Sequence, residues 1–121
     1  MANTTIMLVD GLTVGDVANK LAELKEYTAG DLIDACAAAE KVVYTEQGPA
    51  LVASPTVTDM ELLCRQIVRI GDHKGPLSMA ELRRLSGRDL AALRNASGAL
   101  DHGAAQAAAN RGRLAGSQGT D

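Results

Sequence analysis

Large aromatic side chains are almost missing from this chain: it has no Phe and no Trp, and its two Tyr residues are Tyr27 and Tyr44. Burying a Leu-sized side chain contributes about 1.5–3 kcal/mol, and an alanine much less. Because 21 of the 121 residues are alanine, the 46% hydrophobic content overstates the available core. A small, leucine-built core is expected, completed by a partner or by self-association. Cysteine is as scarce. Cys36 and Cys64 stand far apart with no His or Cys at ligand spacing, which argues against a disulfide framework or zinc site and predicts two reduced thiols inside helices. No apolar run approaches the ~20 residues of a membrane span. A basic segment followed by an apolar one, the mark of a leader, is missing from the N-terminus. A soluble, intracellular chain is the expectation.

Net charge is also small, at −3, but its distribution is uneven. Residues 1–59 hold nine acids and three bases, giving −6; residues 60–121 hold six acids and nine bases, giving +3. General nucleic-acid binding calls for a strongly basic domain. The asymmetry fits head-to-tail contact or a charged partner better.

Catalytic groupings are missing too. His73 stands beside Asp72 between Gly71 and Pro76, which matches a general base with an orienting carboxylate. No nucleophile is signalled near it, so it reads as a solvated turn histidine, and His102 is blander still. Thr13-Val-Gly-Asp16 lacks the glycine spacing and the lysine of a phosphate loop. No catalytic, cofactor-binding or metal-ligating residue is assigned, and no enzyme activity is expected.

What the chain does contain is helix punctuation. Thr58 with Glu61, Ser78 with Glu81 and Ser86 with Asp89 each place a hydroxyl three residues before a carboxylate. In a capping box the hydroxyl accepts from an early backbone N–H while the carboxylate reaches back to the cap, worth about 1 kcal/mol. Thr28 with Asp31 repeats the pattern. After it, Leu32, Cys36, Ala39 and Val43 share a helical face. Met60, Leu63, Cys64, Ile67 and Ile70 form the cleanest stripe, ended by Gly71; Arg65 and Arg69 lie i, i+4 on another face. Leu90, Leu93, Ser97 and Leu100 share the last face.

The N-terminus reads differently. Residues 4–9 (TTIMLV) form an apolar run ending in the turn dipeptide Asp10-Gly11. A hairpin is expected whose second strand lies within 19–25, although Val17, Leu21 and Leu24 also repeat at helical spacing. Val42, Val43, Leu51 and Val52 offer a second short β-pair. The expected architecture is a mainly α (α+β) single domain over 1–101, with a β element at about 4–25 and helices at about 29–43, 58–70, 79–85 and 87–100. Residues 102–121, rich in Ala and Gly, are expected to be a disordered tail, or helical only on a partner.

Two segments, YTAGDLIDACAAAEKVV (27–43) and MELLCRQIVRIGDHKGPLSMAELRRLSGRDLAALRNASGALD (60–101), resemble the tail assembly chaperones of Mu-like phages and prophages. The shared features are a T-x-G-D-L helix entry, an -LLARQI- type helix and a leucine-spaced ending, over roughly residues 8–101. The resemblance implies a non-catalytic, scaffold-like protein of the bacterial host cytoplasm that is absent from the mature virion. It implies that the chain coats the tape-measure protein, with the tail-tube protein as a second partner. A longer product made by frameshifting is known in several phage groups, and the tail would suit a linker to one. No membrane or cofactor is implied.

A chaperone of this kind needs exposed apolar surface of modest affinity, which a leucine-faced helical unit supplies by helix-in-groove contact. On that reading the centre of the stripe is core, and Leu62, Arg65, Val68, Arg69, Arg83 and Arg84 are the partner-binding residues. Two alternatives stay open. One is a helix-turn-helix DNA-binding regulator, with Arg83, Arg84, Arg88, Arg94 and Asn95 around the Leu85-Ser86-Gly87 junction. The other is a minor structural subunit of the tail or baseplate.

Overall fold

Asp10-Gly11 does not close the first hairpin. Strand β1 (Thr4–Val14) runs straight through it and turns at Gly15-Asp16 into β2 (Val17–Leu24). The β1–β2 register shifts between Met7 and Leu12, so Asp10-Gly11 is a bulge within the strand. Gly11 sits at φ +78°, and a Cβ there would collide with the carbonyl of Asn19. The second strand overlaps the expected 19–25 but starts two residues earlier, at Val17, and ends at Leu24. The computed structural model describes residues 3–118, with side chains as far as His102.

The remaining elements are α1 (Ala29–Ala39), β3 (Glu40–Thr45), β4 (Gly48–Ala53), α2 (Pro55–Gln66), β5 (Ile67–Ile70), β6 (His73–Lys74), α3 (Met79–Leu82) and α4 (Gly87–Gln118). β1, β2, β5 and β6 make one antiparallel sheet in the order β1-β2-β5-β6, and β3 and β4 make a separate two-stranded sheet. With two antiparallel sheets beside its four helices, the chain is not the mainly α domain that its caps and stripes suggest.

The helix expected over 58–70 shows why. It begins earlier, on Ser54 as N-cap with Pro55 at its first position, and it ends at Gln66. Glu61 accepts from Arg65 rather than closing a box with Thr58, whose hydroxyl donates to the Ser54 carbonyl. Ile67-Val-Arg-Ile70 then leaves the helix and pairs with β2. The apolar spacing of three is compatible with a helix, but also with an irregular strand. Leu24 faces Ile67, Glu23 faces Arg69 and Ala22 faces Ile70, so the shift lets both isoleucines point inward.

One face of the four-stranded sheet meets the helices. Leu8, Leu12, Ala22, Leu24, Ile67 and Ile70 from the sheet pack with Leu63, Cys64, Leu77, Leu82 and Leu93. Ser78 and Glu81 form the expected capping box at α3, and Arg83 to Leu85 follow that helix as turn rather than helix. Ser86 Oγ accepts from the Asp89 N–H at 3.3 Å. The Asp89 carboxylate, however, does not serve its own helix end: it is fully buried and accepts from the N–H groups of Val9 (2.7 Å), Asp10 (3.0 Å) and Gly11 (2.8 Å). A bulge leaves strand donors without ladder partners, and this carboxylate takes them.

Helix α1 is shorter than expected, and its buried edge is shifted from the expected face, of which only Ala39 is buried. Its buried residues are Ala35 and Ala39, at i, i+4, and it lies against α2; Leu32, Ile33 and Cys36 face outward. Two alanines allow a close approach that larger side chains would prevent. Helix α4 continues without a break to Gln118, through most of the segment expected to be disordered. Alanine is the best helix former and needs no tertiary anchor to propagate a helix already begun. Residues 119–121 lie outside the described part.

Candidate partner-binding surfaces

The β3–β4 hairpin is the least covered part of the described chain. Every residue of β3 is exposed, as are four of the six in β4. Val42 pairs with Leu51 and Tyr44 with Pro49. Residues opposite each other in an antiparallel ladder share a face, so these four form one apolar face, of which Tyr44 is 85% and Leu51 68% exposed. The other face carries Val43 and Val52, also exposed. A two-stranded hairpin is marginal by itself in water; here both faces are apolar and neither is covered among the described residues.

A second apolar surface lies on the sheet face away from the helices. Met7, Val9 and Leu21 are each at least half exposed there; Val14 and Val17, also exposed, pair with each other near the turn on the side of Leu12 and Asn19. Strand alternation explains it: Leu8 goes inward and its neighbours go outward.

Of the six residues expected to bind a partner, only Arg65 and Val68 line a common cleft. Leu62, half-buried, lines a cleft between α2 and α4 with Asp59, Arg94, Ser97 and Asp101. Arg65 donates to the Glu61 carboxylate at 3.0 Å and to its carbonyl at 2.9 Å. With Val68 it lines a second cleft beside Lys25, Asp31 and Pro76. Arg69, expected on the same helix face as Arg65, is on a strand instead; its Nε donates to Glu23 at 3.2 Å, beside Thr5 and Leu21 on the open sheet face. Arg83 is exposed, and Arg84 donates to the Thr13 carbonyl at 2.5 Å.

Electrostatics around these surfaces is structural. Arg88 makes two 2.7 Å hydrogen bonds to Asp10 and, with Ser86, holds that carboxyl well below the usual range. Lys25, at 2.6 Å, also lowers the carboxyl pKa of Asp31, which closes the Thr28 capping box. For Asp89, burial alone raises the pKa, but the donors of Val9, Gly11 and Asp10 outweigh it and the net shift is downward. Burial pushes the Cys64 thiol up to about 11, so it is a packed thiol and not a nucleophile. Cys36, expected inside its helix, is exposed. Gln66 is buried and fully used: its amide donates to the Lys25 carbonyl and to Asp101, and its Oε1 accepts from Ser97 at 2.8 Å. His73 is no solvated turn residue; half-buried on β6, it pairs through Nε2 with Glu81.

The helix-turn-helix alternative loses its geometry. Helix α3 has four residues, and the first turn of α4 is held against β1 through Asp89, with Arg84 and Arg88 both bound there. Among the described residues no group of three or more His, Cys, Asp or Glu side chains is placed to hold a metal ion, and no helix is long and apolar enough to cross a membrane.

The sequence model of the family described as "Tail assembly protein gp41" matches residues 8–113. This chain belongs to that family. The gp41 assignment is supported by individual relatives. The chain is 50% identical over 93 residues to the probable tail assembly protein gp41 of Escherichia phage Mu, covering 76% of this chain and 65% of that protein. It is 59% identical over 63 residues to the probable tail assembly protein FS-gp41 of the same phage, covering 52% and 34% respectively. The Mu-like prophage FluMu protein gp41 of Haemophilus influenzae is 40% identical over 110 residues, covering 90% of this chain and 87% of that one. Less than two thirds of either phage Mu protein is thus spanned. No solved structure matches the chain.

The exposed hairpin residues Val42, Tyr44 and Leu51 escaped the sequence reading as a surface. Their signal was present: a Val/Tyr-rich run facing a Leu/Val run across Glu46-Gln47. Alternation that is apolar on both faces suits a buried strand; only the tertiary structure shows that nothing covers this one.

Proposed function

We propose that this tail assembly gp41 protein is a non-catalytic chaperone that binds the tape-measure protein during tail morphogenesis, with the tail-tube protein as a second partner. It acts in the bacterial cytoplasm and leaves before the virion is complete. The observation that carries this reading is the amount of apolar surface left open: two separate patches, on the hairpin and on the outer sheet face, against a main buried cluster of eleven residues among those described. Contiguous patches of this kind mark interaction sites on soluble proteins. Family membership supports a role in tail assembly, and a long chain awaiting its tube is the partner in that process most in need of cover.

The test is co-expression with the tape-measure protein of the same phage. Co-purification, with the tape measure insoluble when expressed alone, is the expected result. A tape measure unaffected by this chain would remove the mechanism. Recovery of the chain from purified virions would favour a structural tail subunit instead.

A further inference from the structure

The arm formed by α1, β3 and β4 differs in charge as well as in exposure from the rest of the protein. Residues 29–53 hold Asp31, Asp34, Glu40 and Glu46 against the single base Lys41, giving −3. Among the described residues only Asp31 of these four has an ion-pair partner. The outer edge of β4 is bare. Natural edge strands are blunted by charge, bulge or cover, yet Gly48–Ala53 carries no charged side chain and keeps an unbroken register with β3, with Pro49 near its start as the one blunting residue.

We propose that this arm is where the protein holds its partner. The partner segment is an extended apolar stretch flanked by Lys or Arg, added as a third strand along β4 with its side chains against Val42, Tyr44 and Leu51. The proposal rests on the chaperone reading and names the surface and the chemistry that reading needs. The acidic surround selects a basic partner and repels the like-charged arm of a second copy. Main-chain pairing along β4 supplies affinity that is tolerant of sequence, and the apolar face supplies register. This is strand addition rather than the helix-in-groove contact that the leucine-faced helices suggest from sequence.

The experiment uses the full chain and the co-expressed tape-measure protein. Tyr44→Asp combined with Leu51→Asp is expected to weaken binding about tenfold or more with unchanged thermal melting. Asp34→Lys with Glu46→Lys, which leaves the apolar face intact, is expected to weaken it and to flatten its salt dependence. Hydrogen exchange at residues 50–53 is expected to slow in the complex. If the wild-type chain binds the tape measure and both variants bind equally well, the arm proposal is overturned while the chaperone reading stands. If the wild type does not bind, both fall. Wild-type oligomers that the arm variants convert to monomers would overturn the proposal by making the arm a self-association surface.

Discussion

The four-stranded sheet with α2, α3 and α4, and the arm of α1 with the β3–β4 hairpin, solve the same problem in opposite ways. In the first, the buried side chains of the sheet pack with those of the helices, and even the donors freed by the β1 bulge are taken by Asp89. In the second, the only buried residues are two alanines, and the larger apolar side chains point to solvent. The comparison teaches that this chain's apolar content is divided: one share makes the fold, and another is held out on an acidic projection.

Substitutions should separate the two regions. Leu93→Ala, at a fully buried position, is expected to cost about 3–4 kcal/mol in urea unfolding, the range for a core leucine deleted to leave a cavity. Asp89→Ala should cost about 2–3 kcal/mol, because it strands three N–H groups, of which that of Gly11 is buried. A loss no larger than that of an exposed site would mean that water replaces the carboxylate.

The same residue sets a pH dependence. The folded pKa of Asp89 is lowered, whereas an unfolded aspartate titrates at about 3.9. Its stabilisation is therefore complete above that value and disappears as the pH falls through the lower, folded pKa. Acid unfolding of the wild type should be steeper than that of Asp89→Asn. Asp101 behaves in the opposite sense: burial raises its pKa, with Glu26 adding to the shift and the Gln66 amide opposing it. Asp101→Asn should give a small gain at neutral pH that vanishes once the wild-type carboxyl is protonated. Smallest of all, Leu51→Ala in the arm is expected to move stability by within about 0.5 kcal/mol, as an exposed position does. A loss comparable with that of Leu93→Ala would erase the distinction between the two regions.

Much of the body was legible because local chemistry and tertiary outcome agree there. The Thr28 and Ser78 caps are read from neighbouring residues and form as read. The Val42/Val43 and Leu51/Val52 pairing follows from β-branched runs around a turn. Leu63, Cys64, Ile67 and Ile70 are core on either a helical or a strand assignment, so their burial survived the error about their backbone. The partner surface was not legible in the same way. Arg65 and Arg69 looked like neighbours on one helix, and the break at Gln66 puts them in different clefts.

What the sequence by itself determined is family, core composition and the local signals whose energy lies within a few residues: caps, turns and alternation. What only the tertiary structure decided is everything that depends on a distant partner. Ile67–Ile70 is strand because β2 lies alongside it; Asp89 belongs to β1, about eighty residues away, rather than to its own helix. The inward face of α1 is the one that α2 meets, with alanine at the contact. Exposure of the hairpin likewise depends on where the rest of the chain is not. Local patterns report which side chains avoid water, and only the assembled fold reports which of them succeed.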